Sequence, residues 1–401
     1  MNKKIVITGM GAVTPIGIGV KSYWEALLAK ECGIAPITRM NPSELPIKKA
    51  AEVKGFDPAA LLPPKLVTDI DLFMQLAYVA AEEAIEMSKI TFDPYRTGVV
   101  MGTALSGLTL TGQTQEEYVL EGKSISPRFL TRVLGNLAAA QLAIHHDIKG
   151  PCYTMTTACS SGGDAVSTAA MLLETGAADA MVVMAGESAI CPLFICSLAK
   201  AGALSKDGYS CPFDKKHNGF VTGEGGGSLI LETEENAKKR GAVILGELLG
   251  YANCTDGYHP VAPQPEGLGA AACMGAALAK AGLKPSEIGY INAHGTSTVR
   301  GDIAETKAIK SVFGDLAVPV SSTKGATGHM MGAGGITEII ACIKAIETGL
   351  LPPTIHCDEQ DEECDANIIT DVTPCEIDIA MSNAFGFGGQ NSSVIVGKYR
   401  E

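Results

Sequence analysis

The residue types able to do chemistry in this sequence gather in four short segments. In TTACSSGGDAVSTAAMLLETG, Thr156 to Gly176, Cys159 stands among small residues, with Gly162, Gly163 and an alanine-rich stretch behind it. That order places the thiol at the entry of a helix, where free N–H groups and the positive dipole end favour thiolate. A free cysteine, with a pKa of about 8.5, is only a few per cent thiolate at pH 7, so any lowering enlarges the reactive fraction. Read alone, Cys159 is equally a small buried hydrophobe, the reading that suits the other cysteines.

Tyr290 to Thr298, YINAHGTST, reads as a strand ending in a polar loop that presents His294, with Thr296 and Thr298 able to orient a polar ligand or simply to satisfy the turn. SSTKGATGHMMGAGGITEII puts His329 in a glycine-rich turn opening a helix, with Lys324 before it and Glu338 after it. Backbone N–H groups in such a turn can meet an anion, or the turn is an ordinary helix entry. Asn383 to Gly389, NAFGFGG, lies between two strand candidates. Its glycines suit a strained turn whose N–H groups can serve an oxyanion, or a plain hairpin with two aromatic core residues.

These segments must be held by the elements around them. Short β-branched runs, glycine turns and alanine-rich stretches alternate in the rhythm of an α/β protein. The strand candidates are 5–8, 98–101, 180–185, 228–232, 289–293, 377–382 and 393–396. Most are apolar on both faces, which predicts sheets covered on both sides. Helical patterns run over 74–87, 163–174, 267–281 and 336–347; Ile336, Ile339, Ile340, Ile343 and Ile346 share a face and Gly349 is a stop signal. A boundary falls near Lys238–Ala242, between GSLILET and VILGELLGY, so two halves, 1–240 and 241–401, are expected without a strong sequence repeat.

Composition narrows the classes. The chain has 401 residues, 46% hydrophobic and 19% charged, so it can bury a large core, and no low-complexity linker divides it. A net charge of −13 disfavours a general nucleic-acid surface. No run of about 18 apolar residues predicts a membrane span, and the N-terminal MNKKIVITGMGAVTPIG lacks a secretory pattern. Twelve cysteines without a CxxC spacing fit reduced thiols in the cytoplasm better than a disulfide framework.

Taken together and in this order, the four segments resemble the β-ketoacyl-acyl-carrier-protein synthases, the Cys-His-His condensing enzymes of fatty-acid synthesis, and the related type II polyketide ketosynthases. The likeness runs from VITGMGAVTPIG through PFDKKHNGFVTGEGGG, Pro212 to Gly227, to NAFGFGGQNSSVIV. It implies a thiolase-like fold of two related halves in a five-layer α-β-α-β-α sandwich, usually a homodimer. It implies that Cys159 is the acylated nucleophile, His294 and His329 the histidine pair, and Lys324 and Glu338 their charged support. The backbone N–H groups of Cys159 and Phe387 would form the oxyanion hole, Phe387 would gate, Leu105, Phe194 and Leu198 would line the acyl pocket, and Thr296 and Thr298 would meet the pantetheine arm. The partner implied is an acyl carrier protein, whose phosphopantetheine brings the substrates; no cofactor of the enzyme's own and no metal are required.

The chain departs from that family in places. Cys211 precedes Pro212 where an arginine is frequent, and His217-Asn218-Gly219 replaces Arg-Asp-Gly. The helix that often supplies basic docking residues reads PPKLVTDIDLF, leaving Lys65 beside Asp69 and Asp71; Arg128 and Arg132, at i,i+4 in SPRFLTRVLGN, are the nearby substitutes for carrier docking. Three rival readings remain. A ketosynthase-like heterodimer can pair an active chain with a partner lacking the nucleophile, and this chain keeps Cys159. Gly9-x-Gly11 with Glu31 suggests a nicotinamide site, but position 14 is Thr. His356, Cys357 and Cys364 in HCDEQDEECD suggest metal ligands, although the spacing fits no usual zinc pattern and a solvated acidic loop suits the segment.

Overall fold

A computed structural model describes residues 3–401. The first five long strands are β1 (Ile5–Thr14), β2 (Thr97–Gly102), β3 (Cys152–Met155), β4 (Ala180–Glu187) and β5 (Gly225–Thr233). They hydrogen-bond in the order β1-β5-β4-β2-β3. The next five are β6 (Gly246–Thr255), β7 (Tyr290–Asn292), β8 (Val320–Ser321), β9 (Ile379–Gly386) and β10 (Gln390–Gly397), in the order β6-β10-β9-β7-β8. Each set therefore repeats one topology, first, fifth, fourth, second, third, with two antiparallel pairings followed by two parallel ones. The sets join edge to edge where Ile5, Val6 and Ile7 pair antiparallel with Leu248, Glu247 and Gly246.

Six helices cover the sheet. Between the two halves lie α3 (Ser161–Glu174) and α6 (Gly334–Thr348), which touch each other; α1 (Leu72–Ser88) and α2 (Asn136–His145) cover the outer face of the first half, and α4 (Leu268–Ala281) and α5 (Val299–Phe313) lie outside the second. The result is the five-layer α-β-α-β-α arrangement. Strands β1, β2, β4 and β5 are buried along their whole length, as their doubly apolar sequences require. The four inward isoleucines Ile336, Ile339, Ile340 and Ile343 of α6 join the central core with Val394 and Val396 of β10 and Leu229 and Leu231 of β5.

Two sequence expectations change here. The glycine-rich segment 383–389 is mostly strand: β9 runs to Gly386, and the turn is confined to Phe387–Gly389. Gly9 and Gly11 sit inside β1, where a side-chain carbon would meet the Ala84 and Ala80 carbonyl oxygens of α1 at 2.1 and 1.9 Å. They allow helix and sheet to touch and form no phosphate loop, which removes the basis of the nicotinamide reading. No helix among the described residues is long and apolar enough to cross a membrane.

Candidate active site

The repeated topology brings the four segments together. In the first half the chain leaves its third strand, β3, passes Cys159 and enters the inner helix α3; in the second it leaves β8, passes Lys324 and His329 and enters the inner helix α6. His294 follows the end of β7, and the β9–β10 hairpin carries Phe387. The turn before the thiol is tight: Ala158 has φ +52°, a left-handed conformation that a non-glycine residue adopts only under tertiary constraint. Gly386 supplies that constraint, since a side-chain carbon there would lie 2.8 Å from the Thr157 carbonyl oxygen and 3.0 Å from the Cys159 nitrogen.

His329 Nε2 lies 3.0 Å from Cys159 Sγ. The His294 and His329 rings stand nearly perpendicular with centroids 5.3 Å apart, and Phe385 and Phe220 pack on His294 and His329 respectively. The Phe387 backbone N–H lies near enough to the Cys159 thiol to pull its pKa down. Lys324 and Glu338, both buried, form an ion pair beneath the histidines. Burial, reinforced by the Lys324 charge, holds both imidazoles well below the usual histidine range, so both are neutral. Burial also pushes the Cys159 thiol up to about 12, against the opposing pull of Lys324 and the Phe387 N–H. Desolvation at Cys159 thus opposes the thiolate that its place before α3 favours.

Above Cys159 opens a cavity of about 530 Å³ lined by His294, His329 and Phe387, by Leu105, Phe194 and Leu198, and by Thr296 and Thr298. The two threonine hydroxyls are 3.0 Å apart, and Phe387 is 36% exposed at the mouth. Arg128 and Arg132 are outside this lining. Arg128 caps the short helix Phe129–Val133 and pairs with Asp69 at 2.8 Å, while Arg132 is half-buried and lowers the Asp71 carboxyl, which burial raises more strongly. Lys65 is exposed on the helix Pro64–Asp69. Both arginines of the proposed docking patch are therefore compensated by nearby aspartates.

Sequence reasoning missed the acids that hold the loops. Glu305 of α5 accepts the backbone N–H groups of His294 and Gly295 at 2.8 and 2.7 Å. Glu187, at the end of β4, accepts those of Ala104 and Leu105 at 2.7 and 3.2 Å. Asp302 accepts from the Phe213 and Ser297 N–H groups and from His217 Nδ1 at 3.0 Å. A charged residue closing the apolar run of β4 was the available signal for Glu187; the α5 acids look like ordinary surface charge. Asp256 fastens the Phe387 turn, accepting from Asn391 Nδ2 at 2.7 Å while its N–H donates to the Gly389 carbonyl.

The segment 356–364 does not gather as a metal centre. His356 Nδ1 faces the Ser210 carbonyl at 3.0 Å and Cys357 and Cys364 lie in the core, while its acidic residues Asp358, Glu359, Glu362 and Glu363 reach solvent.

A sheet made of two halves with one topology, a thiol from the first and two histidines from the second, defines a protein of the thiolase fold. The chain belongs to the β-ketoacyl synthase family, whose N-terminal domain matches residues 2–237 and whose C-terminal domain matches residues 245–358. It is 41% identical over 410 residues to the 3-oxoacyl-acyl-carrier-protein synthase 2 of Synechocystis sp., and 39% identical over 408 residues to that of Coxiella burnetii; each alignment covers 99% of both chains. Among solved structures, the ishigamide ketosynthase/chain length factor superposes with a TM-score of 0.94 at 31% identity over 100% of both chains. A type II polyketide acyl-carrier protein in complex with its ketosynthase bound to the hexaketide gives 0.90 at 30%, again over 100% of both chains.

Proposed function

We propose that this enzyme is a β-ketoacyl-acyl-carrier-protein synthase, joining an acyl group held on Cys159 to the carbanion formed by decarboxylating a malonyl-carrier protein. The observation that carries the reading is the 3.0 Å approach of His329 Nε2 to the Cys159 sulfur, with His294 beside it. In the first step the sulfur attacks the acyl thioester. Its proton passes to His329 Nε2 and then to the departing pantetheine sulfur, so a neutral thiol reacts without a free thiolate. The Cys159 and Phe387 N–H groups receive the carbonyl oxygen as it gains charge.

In the second step the malonyl carboxylate leaves as CO2 and its bonding pair forms an enolate, which then attacks the acyl carbonyl and expels Cys159. Two neutral imidazoles with their protons on Nε2 are suited to hold the enolate oxygen. No protein group bonds either Nδ1, so nothing fixes one tautomer, and His329 can accept in the first step and donate in the second. Burial, reinforced by Lys324 in its pair with Glu338, disfavours a charge on either ring. Leu105, Phe194 and Leu198 enclose the acyl chain and Thr296 and Thr298 meet the pantetheine amides. Lys65, Arg128 and Arg132 are our candidates for contact with the carrier. No cofactor beyond the carrier's own phosphopantetheine is needed, and we place the reaction in the cytoplasm.

Identical strand order on the two sides of residue 240 supports our division into halves 1–240 and 241–401. The edge strand β3 exposes Tyr153, and Tyr118, Leu120, Leu130 and Ile144 of the same half are also exposed apolar residues, which suits contact with a second copy of this chain. The likeness to a ketosynthase/chain length factor favours a second reading, in which this chain is the active half of a heterodimer. Sedimentation of the pure protein separates the two readings. The chemistry is tested by mass spectrometry with acyl- and malonyl-loaded carriers: Cys159→Ala loses the acyl-enzyme and at least about 10³-fold in elongation, and His329→Ala loses decarboxylation. Unchanged elongation by the cysteine variant overturns the assignment.

A further inference from the structure

We propose that Glu82, His145 and His146 form a binding site for one divalent transition-metal ion, separate from the catalytic cavity. Glu82 lies on α1, His145 is the last residue of α2, and His146 is the residue that caps it, its N–H bonded to the Leu142 carbonyl. Their ligand atoms, one from each residue, all lie within 4.8 Å of one another. His146 Nε2 is already 2.8 Å from Glu82 Oε1, in contact without a bridging atom. The two histidine rings are 81° from coplanar with centroids 4.9 Å apart, so consecutive residues bring two imidazoles to one carboxylate instead of pointing to opposite sides.

The surroundings hold the ligands in place. Phe92 packs edge-on against the His146 ring at 5.5 Å and Tyr78 against the His145 ring at 6.0 Å. Tyr78 is 1% exposed, and its hydroxyl lies against the Glu82 carboxylate. It is placed to orient that carboxylate, as outer polar groups do for ligands in metal sites. Two imidazoles and one carboxylate select zinc, nickel, cobalt or copper over magnesium or calcium, which prefer all-oxygen sets. Three protein ligands leave positions for water.

The site is remote from the chemistry. Gly135, just before α2, packs on Thr103 and Ser106 of the Leu105 loop, and a ten-residue helix is about 15 Å long. The histidines stand at the other end, where an ion ties α2 to α1.

The test uses the full-length protein, stripped with a chelator and titrated with ZnCl2 or CoCl2 by calorimetry, with metal analysis after gel filtration. Wild type retains one equivalent of zinc that His146→Gln and Glu82→Gln lose, with affinity falling at least about tenfold. His145→Ala, at an exposed ring, keeps the test open if the other variants fold poorly. Zinc raises the melting temperature of wild type and not of the variants, while condensation by metal-free wild type is undiminished. Cobalt gives visible bands without a thiolate charge-transfer band. Equal zinc stoichiometry in all variants, or a thiolate band from the exposed Cys32, Cys152 or Cys196, overturns the proposal.

Discussion

The loop after the second strand of each half is fastened in the same way and used differently. In the first half Glu187 accepts two consecutive N–H groups, those of Ala104 and Leu105; in the second Glu305 accepts those of His294 and Gly295. Both carboxyls are fully buried, and burial pushes each up to about 7. One loop presents an apolar wall and the other an imidazole. The fold thus supplies two equivalent rigid rims, and the side chain mounted on each decides whether it selects substrate or does chemistry.

Removing a fastener should therefore cost different things in the two halves. The largest effect is expected from Glu305→Ala, which orphans two buried N–H groups and loosens His294. Malonyl decarboxylation should fall about 100-fold while acylation of Cys159 is mostly kept, as single-turnover assays of the two steps can show. Equal loss in both steps would erase the contrast. Glu187→Ala should reduce turnover by only about tenfold and change the acyl chain length preferred in a mixed-substrate competition. An unchanged product profile would remove Leu105 from the specificity wall.

Acidity sharpens the comparison. A carboxyl raised from 4.5 to about 7 in the folded state stabilises the fold below pH 4.5 relative to higher pH. That contribution is lost as pH climbs through 7, at roughly 3 kcal/mol per group. Glu187→Gln and Glu305→Gln, which stay neutral, should each flatten the fall in denaturant midpoint between pH 5 and 8, about equally. The smallest effect belongs to His217, held between Asp302 at 3.0 Å and Asp361 at 3.2 Å. Burial lowers its affinity for a proton, but the two carboxylates outweigh burial and raise it. Its ion pairing is complete below pH 6.5 and fades as pH rises through the folded-state value, so the stability gap to His217→Gln should narrow above neutrality.

The groups we propose to react were legible through the resemblance that joins their four strings, since each string alone also allowed an ordinary structural reading. Cys159, His294, His329 and Phe387 all reach one cavity. What holds them was not legible, because Glu305 becomes a fastener only through the crossing of α5 over the β7 loop, and nothing in VRGDIAET distinguishes it from a solvated acid. The burial that raises the Cys159 thiol was not legible for a related reason. A helix entry is local and visible in sequence, whereas desolvation comes from the other half packing over the thiol. Arg128 likewise read as available because its partner Asp69 is distant in the chain.

The β9–β10 hairpin meets the nucleophile's own backbone, at Gly386, close to the end of the chain. During synthesis, Cys159 leaves the ribosome long before this hairpin and both histidines. A nascent first half therefore carries the thiol and its own N–H but neither histidine nor the Phe387 N–H, so the constellation we propose assembles only when the second half packs onto the first.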